Sequence, residues 1–218
     1  MERVLVVAPH ADDETLGCGG TLLRHFKNGD EIFWLIATAP IESKSKTITS
    51  ECIKKVADMY QFKKVITLDI AATTIDQRPM FELVDKISEV VSSVRPSTIY
   101  LPNRTDIHSD HRIVFEAAYS CTKNFRFPTV RRILLYETLS QTEFAPALPE
   151  STFIPNVFVD ITDHMQSKLE IMSIYSSEVM EKPGPRSLSS LEALARYRGS
   201  RIGVEFSEAF ALLFESHQ

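Results

Sequence analysis

The chain has 218 residues, a net charge of −5 and a hydrophobic fraction of 44%, values that are ordinary for a soluble globular protein. This length predicts one domain over residues 1–218, and the acidic balance argues against a general nucleic-acid-binding surface. The three cysteines lack CxxC spacing, which argues against a disulfide framework or a cysteine-rich zinc site and suits a reducing cytoplasm.

The N-terminal stretch lacks the pattern of a secretory signal peptide. Its apolar run is short, and Asp12 and Asp13 follow where a cleavage site would lie. The sequence contains no window close to the about 18 apolar residues that a transmembrane helix needs, so we expect no membrane span. The simplest expectation is a cytoplasmic protein.

Strand and helix patterns alternate along most of the chain. In chain order, the patterns predict a strand over 3–8, a helix over 15–27, a strand over 31–38, a helix over 51–60 and a strand over 64–68. They continue with a helix over 80–94, a strand over 98–101, a helix over 113–122 and a strand over 132–136. This alternation is typical of a Rossmann-like α/β fold with a largely parallel, doubly wound sheet.

The remaining residues predict a C-terminal elaboration of this fold. A proline-containing loop is expected over 144–155, followed by a short strand over 156–160. One capped helix is expected to begin near Asp163 with Gln166 as its capping partner, and another at Ser189 with Glu192. The second of these helices is expected to end at Gly199.

Two polar clusters follow predicted strands. The first comes directly after the first strand and contains His10, Asp12, Asp13 and Glu14. The second follows the fourth strand and contains His108, Asp110 and His111. Because ligands of open parallel sheets bind beyond the carboxyl ends of the strands, we expect the two clusters to converge there.

The clusters contain residue types that bind zinc and similar divalent ions. His10, Asp13 and His111 are predicted as three protein ligands, which would leave an open position for a water nucleophile. Asp12 is the predicted general base, His108 the donor to an oxyanion or a leaving amine, and Asp110 the residue that orients an imidazole. Glu14 is interpreted as a structural residue, favourable in the first turn of a helix.

Two other kinds of active site do not match the sequence. The glycines of residues 17–20 do not form a dinucleotide-binding GxGxxG motif, which would need glycine at Leu22, and they predict close packing of a helix instead. The chain has no GxSxG motif, and no cysteine adjoins a histidine. Covalent acyl chemistry therefore has no visible nucleophile.

The motifs PHADDE at 9–14 and HSDH at 108–111 resemble the two signatures of the LmbE-like or PIG-L family of N-deacetylases, PHPDDE and HPDH. Segments 156–177 and 193–210 also resemble that family, so the likeness covers nearly the whole chain. The resemblance implies a zinc-dependent enzyme that deacetylates N-acetylglucosamine-type units of small conjugates. It places the metal ligands at His10, Asp13 and His111, the base at Asp12 and the transition-state stabiliser at His108.

The sequence leaves the substrate and the metal open. Iron suits the same ligands as zinc. The implied partner is an N-acetylated amino sugar or its conjugate, and a homo-oligomer is an open expectation. Two other functions also remain open: a dinuclear metal phosphoesterase acting on a small phosphorylated substrate, and a non-catalytic metal-binding module. One tightly bound ion per chain would favour the deacetylase over the phosphoesterase.

The sequence departs from the family at several positions. Ala11 and Ser109 replace prolines, and Ile48 stands where the family often has an arginine that can contact substrate. Alternatives for that contact are Lys44, Lys46, Arg78 and Arg104. A further hypothesis assigns binding of an anionic conjugate to Arg186, Arg196, Arg198 and Arg201. The competing interpretation pairs these arginines with Glu181, Glu192, Glu205 and Glu208.

Overall fold

A computed structural model describes residues 1–39, 41–42 and 47–217 of the chain. Side chains are described for all of these residues except 41, 42 and 47. Its elements run in the order β1 (Arg3–Ala8), α1 (Asp13–Lys27), β2 (Glu31–Thr38), β3 (Ile41–Glu42), β4 (Thr47–Ile48), α2 (Ser50–Tyr60) and β5 (Lys64–Ile70). They continue with α3 (Met80–Val94), β6 (Thr98–Pro102), α4 (Ser109–Ser120), β7 (Arg132–Tyr136), β8 (Val157–Asp160), α5 (Met165–Ile174), α6 (Leu188–Ser200) and β9 (Ser207–Glu215).

Seven strands form a mixed sheet in the order β5-β2-β1-β6-β7-β9-β8. The five neighbouring strands β5, β2, β1, β6 and β7 are parallel to one another. Strand β9 runs antiparallel to both β7 and β8. The short strands β3 and β4 form a separate antiparallel pair. The predicted Rossmann-like, largely parallel, doubly wound sheet is therefore confirmed.

Apolar layers cover both faces of the sheet, which explains why its central strands read as continuous hydrophobic runs. Along β1, Val4 and Val6 belong to one buried cluster, while Leu5 and Val7 belong to the other. Within the described part of the chain, none of the helices is long and apolar enough to cross a bilayer.

Two helices begin earlier than predicted, and both carry site residues in their first turns. Helix α1 begins at Asp13 rather than at residue 15, and α4 begins at Ser109 rather than at residue 113. Polar residues at these positions weaken the apolar periodicity on which the prediction depends. The consequence is that Asp13 and His111 are held by helical backbone.

The C-terminal elaboration differs more from the prediction. Strand β9 was not predicted, although it lies within the sheet between β7 and β8. The predicted capping box at Asp163 is wrong, because α5 begins after a 3₁₀ turn and has no side-chain cap. Helix α6 is capped by Ser187, which accepts the Ser190 N–H, rather than by Ser189, and it ends at Ser200.

The glycines of α1 allow the close packing that the sequence predicts. A Cβ on Gly17 would overlap the Tyr136 ring, and one on Gly20 would lie 2.7 Å from Ile161. The helix is also kinked at Cys18, whose φ of −143° is not helical. A buried ion pair stabilises the kink.

In this ion pair, Lys168 and Glu208 satisfy backbone groups on the two sides of the kink. Lys168 Nζ donates to the Leu16 carbonyl at 3.0 Å and contacts Glu208 at 2.7 Å. The Glu208 carboxylate accepts the Gly20 N–H at 2.8 Å and the Thr21 N–H at 2.7 Å. These contacts link α5 and β9 to the helix that follows the first strand.

Candidate active site

A pocket of about 220 Å³ lies beyond the carboxyl ends of the parallel strands and contains side chains of both predicted clusters. It is lined by His10, Asp12, Asp13, Leu16, Ile48, Ala72, Thr73, His108, Thr138, Ser140, Gln141, Glu178 and Arg186. The turn after β1 and the loop after β6 converge here, as expected for an open parallel sheet. This pocket is therefore the candidate active site.

Three of the predicted residues form a compact donor group. Asp13 Oδ2 lies 3.4 Å from His10 Nδ1 and 3.3 Å from His111 Nε2. A tetrahedral zinc site with bonds of about 2.0–2.1 Å places its ligand atoms about 3.3–3.4 Å apart. The spacing in this group therefore suits a zinc-sized ion.

His111 provides an independent sign that the group fits a metal. Its side chain is fully buried, and Nδ1 lies 2.8 Å from the Asp106 carboxylate. The other ring nitrogen, Nε2, is buried without a hydrogen-bond partner. Buried polar atoms are rarely left unpaired, and a carboxylate behind one nitrogen is the usual arrangement of a metal-bound histidine.

His10 is also oriented by a carboxylate, which belongs to Asp110. Its Nε2 lies 3.0 Å from Asp110 Oδ2, which leaves Nδ1 to face Asp13. Asp110 also accepts the Thr73 backbone N–H at 2.9 Å. The carboxylate thus contacts an imidazole, in the geometry expected of an orienting residue.

The pKa values show that the donor group favours positive charge. Burial lowers the pKa of His10, but hydrogen bonds to Asp110 and Asp13 outweigh it and raise the pKa to about 10. Burial likewise opposes protonation of His111, whose pKa the Asp13 and Asp106 carboxylates raise to about 9. Although burial acts to raise it, the pKa of Asp13 is held well below its usual range by His111 and His10. A divalent cation would supply the same charge.

Asp12 lies beside this group in an unusual backbone conformation. Its φ is 136° and its ψ is −28°, and its side chain is buried at the pocket wall. Burial and the neighbouring Asp13 raise the pKa of Asp12 well above its usual range. His10 and the Arg186 guanidinium, which lies 3.8 Å from this carboxylate, oppose that rise.

His108 is fixed at the beginning of α4. Its Nδ1 accepts the Asp110 backbone N–H at 3.1 Å, so the neutral ring carries its proton on Nε2. Burial and the charge of His10 lower the pKa of His108 and favour that neutral form. His108 therefore offers one N–H donor beside the His10 ring, whose centroid lies 4.8 Å away.

Glu14 is buried beneath the turn rather than exposed at the start of a helix. Its carboxylate accepts hydrogen bonds from the Asp12 N–H and from the Thr15 and Tyr175 hydroxyls. Burial raises the pKa of Glu14 to about 7. The interpretation of Glu14 as a simple first-turn charge therefore understates its contacts.

The ion pairs of the four C-terminal arginines limit which of them could bind an anionic substrate in the pocket. Arg196 lies 3.1 Å from Glu192 and 3.3 Å from Glu205, while Arg198 forms two hydrogen bonds with Glu137. Arg186 alone of the four lines the pocket, where it lies 3.1 Å from Glu178.

Neither of the two replacements for the family arginine that the structure describes, Arg78 and Arg104, lies at the pocket wall. Arg104 donates to the Glu150 carbonyl, and neither Arg104 nor Arg78 lines the pocket. Lys44 and Lys46 lie outside the described residues. Ile48 itself lines the pocket and presents an apolar surface there.

Two functional positions were missed by the sequence analysis. Asp106 orients His111, and its position two residues before the second polar cluster was a usable signal. Arg186 enters the pocket from a distant loop, and no local pattern distinguishes it from the other arginines.

Comparison with known proteins agrees with the geometry. The PIG-L family, described as GlcNAc-PI de-N-acetylase, matches residues 5–122. A diacetylchitobiose deacetylase of Thermococcus kodakarensis is 25% identical over 222 residues, covering 95% of this chain and 82% of the relative.

Two solved structures share the fold at lower identity. The conserved protein TT1542 of Thermus thermophilus has a TM-score of 0.79 at 23% identity, covering 100% of this chain and 97% of that one. An inhibitor complex of the N,N'-diacetylchitobiose deacetylase of Pyrococcus horikoshii has a TM-score of 0.78 at 22% identity. This second match covers 97% of this chain and 84% of the other.

Proposed function

The chain belongs to the PIG-L family, and we propose that it is a metal-dependent hydrolase that removes the N-acetyl group of an amino sugar or amino-sugar conjugate. The observation that carries this proposal is the donor group of His10, Asp13 and His111, which borders a pocket lined by Asp12 and His108. The diacetylchitobiose deacetylase relative supports an N-acetylated sugar as the substrate class.

The metal is proposed to be zinc, with iron as the alternative that suits the same donors. It would be held by His10 Nδ1, the Asp13 carboxylate and His111 Nε2, the atoms left free by the contacts with Asp110 and Asp106. When bound, such an ion polarises the acyl oxygen and lowers the pKa of water in the site.

The remaining steps are assigned to Asp12 and His108, with Asp110 in a supporting role. Asp12 is proposed to take the proton of the attacking water as the oxygen adds to the acetyl carbon. His108 donates its Nε2–H to the acyl oxygen, which gains negative charge during the addition. The C–N bond then breaks and a proton passes to the amine nitrogen, giving acetate and a free amine. Asp110 acts by orienting His10.

The pocket suits one sugar ring. Its volume of about 220 Å³ is below the about 300–1,000 Å³ typical of pockets for drug-sized ligands. Thr138, Ser140 and Gln141 place polar groups on one wall, where sugar hydroxyls could form hydrogen bonds.

The three cysteines are unpaired, which supports the proposed location in a reducing cytoplasm.

The test is release of acetate by the purified protein carrying one equivalent of zinc. N-acetylglucosamine and N,N'-diacetylchitobiose are suitable first substrates, with acetate followed by proton NMR and metal content by mass spectrometry. The protein after chelation is the control, and it is expected to be inactive until zinc is restored. A zinc-loaded protein that releases acetate from neither sugar, nor from their phosphorylated or nucleotide-linked forms, contradicts the proposal.

The phosphoesterase alternative has no support in the matches described above. It needs a second metal, and the other donor group among the described residues, His10, His108 and Asp110, shares His10 with the first. Two ions per chain together with hydrolysis of p-nitrophenyl phosphate would favour that alternative. Binding of one ion with no hydrolysis of any tested substrate would favour the non-catalytic module.

A further inference from the structure

Asp12 occupies the N-cap position of α1 but does not behave as a typical N-cap residue. An N-cap aspartate usually turns its side chain back to accept the N–H of the second or third helical residue. Asp12 makes no such hydrogen bond, and its carboxylate lies at the pocket wall instead. Its φ of 136° is a conformation that L-residues rarely adopt, so the surroundings must hold it.

The backbone of Asp12 is held on both sides. Its carbonyl accepts the N–H groups of Thr15 at 3.0 Å and Leu16 at 2.9 Å, as in an ordinary helix start. Its own N–H donates to Glu14 Oε2 at 3.0 Å. This second contact is the unusual one, because it ties the strained residue to a fully buried carboxylate.

The Glu14 carboxylate is itself fixed by neighbouring hydroxyls. Its Oε1 accepts from Thr15 Oγ1 at 2.6 Å and from the Tyr175 hydroxyl at 2.8 Å. Thr15 Oγ1 in turn accepts from the Tyr60 hydroxyl at 2.9 Å. The contacts therefore extend from Asp12 to α2 and to the residue after α5.

We propose that Glu14 is a positioning residue that holds Asp12 in its positive-φ conformation and so directs the Asp12 carboxylate to the pocket instead of to the helix N-terminus. This inference rests on the proposed function, in which Asp12 takes a proton from water. Without the Glu14 contact, Asp12 is expected to relax to ordinary N-cap geometry and to accept a helical N–H. Glu14 would then matter for turnover beyond any effect on folding.

The test uses two variants of Glu14 and a matched control. Glu14→Asp keeps the charge but is one methylene too short to reach Asp12, so kcat should fall about tenfold or more with KM and bound zinc unchanged. Glu14→Gln keeps an oxygen for the Asp12 N–H, so kcat should stay within about threefold of the original. Tyr175→Phe removes one of the two hydroxyl donors to Glu14 Oε1, which still accepts from Thr15, so thermal stability should fall while kcat stays within about threefold.

A double-mutant cycle isolates the route of the effect. If Glu14 acts through Asp12, then Glu14→Asp should not reduce the residual rate of the Asp12→Asn variant any further. Equal losses of kcat in Glu14→Asp and Tyr175→Phe would overturn the proposal in favour of a structural role. A large loss of kcat in Glu14→Gln with zinc retained would also overturn the proposal. If Glu14→Asp does not fold, Glu14→Gln is the variant that tests it.

A crystal structure of a Glu14 variant provides a readout that needs no substrate. The expected result is a negative φ at Asp12 and a carboxylate turned towards the Glu14 or Thr15 N–H in Glu14→Asp, or in Glu14→Ala if that variant is the one that folds. Retention of the positive φ refutes the positioning role, whatever the activity. If the unmodified enzyme is inactive but Asp12 relaxes in the variant, only the proposed function is refuted.

Discussion

The turn after β1 and the loop after β6 each deliver donors to the same pocket, but they are held in different ways. The first turn places His10, Asp12 and Asp13 within four consecutive residues and requires a positive φ at Asp12. The second loop places His108 and His111 at the same three-residue separation as His10 and Asp13, but it begins α4 with His108 as an N-cap. His111 is then oriented by Asp106 from within the same loop.

The two segments therefore differ in where their supporting groups come from. The second loop contains its own supporting groups, since Asn103 donates to Asp106 at 3.2 Å and His111 is five residues from that carboxylate. In the first turn, His10 is oriented by Asp110 and Glu14 accepts from Tyr175, and both partners are distant in sequence. Removing the Asp106 support of His111 should therefore separate metal binding from proton transfer more cleanly than removing the Asp110 support of His10.

The largest expected effect comes from removing a ligand. His111→Ala should abolish metal binding and lower kcat/KM by about 10³-fold or more, because the polarising ion is lost. His164→Ala, which changes a histidine outside both clusters, should keep metal and activity. Metal per chain after dialysis is the measurement, and one ion retained by His111→Ala would show that the ligand assignment is wrong.

Asp12→Asn tests the other function of the first turn. The amide keeps the size of the side chain but cannot accept the proton of water, so kcat should fall by about 10²-fold or more. The metal content should stay at one ion per chain, since Asp12 is not a proposed ligand. Near-normal turnover would remove Asp12 from the mechanism.

The two orienting carboxylates allow a direct comparison of the loops. Asp106→Asn and Asp110→Asn should each weaken zinc affinity by about 10–100-fold, the usual effect of losing a carboxylate behind a ligating histidine. Asp110→Asn should also lower kcat with zinc saturating, because it disturbs the first turn. Competition with a chelator gives the affinities, and equal kcat losses in both variants would contradict the separation.

Zinc affinity should increase with pH. His10 and His111 have pKa values raised to about 10 and about 9 in the metal-free site, so both carry protons at neutral pH. Metal binding must displace those protons, which gives about a tenfold gain in affinity per pH unit for each proton released. Calorimetry in buffers of different ionisation enthalpy measures the number, and no proton release would show that the imidazoles bind metal differently.

The smallest expected effect concerns the charge of the substrate. Since Glu178 lies 3.1 Å from Arg186, we expect the pocket to prefer a neutral N-acetylhexosamine, or to accept both types within about tenfold. This differs from the anionic-conjugate hypothesis, since only Arg186 of its four arginines lines the pocket, and Arg196 and Arg198 pair with glutamates elsewhere. Measured kcat/KM values for neutral and phosphorylated sugars decide it, and a strong preference for the anion that Arg186→Met abolishes would restore that hypothesis.

The sequence was sufficient to predict the central strands β1, β2 and β6, because they are buried on both faces and contain continuous apolar runs, but it missed β9. It also indicated the metal group, since both clusters directly follow strands. The order of β9 in the sheet, the place of Arg186 and the support of Glu14 by Tyr175 were not predictable in this way. Each depends on contacts between residues far apart in the chain, such as the 161 positions between Glu14 and Tyr175.

The kink of α1 has a consequence for how the protein is made. The carboxylate that satisfies the Gly20 N–H belongs to Glu208, which a ribosome adds 188 residues later. Until β9 has been synthesised, Gly20 and Thr21 have no such acceptor, and we expect α1 not to settle against Tyr136 and Ile161. Nascent chains that end before β9 should therefore bind zinc poorly even though they already contain His10, Asp13 and His111.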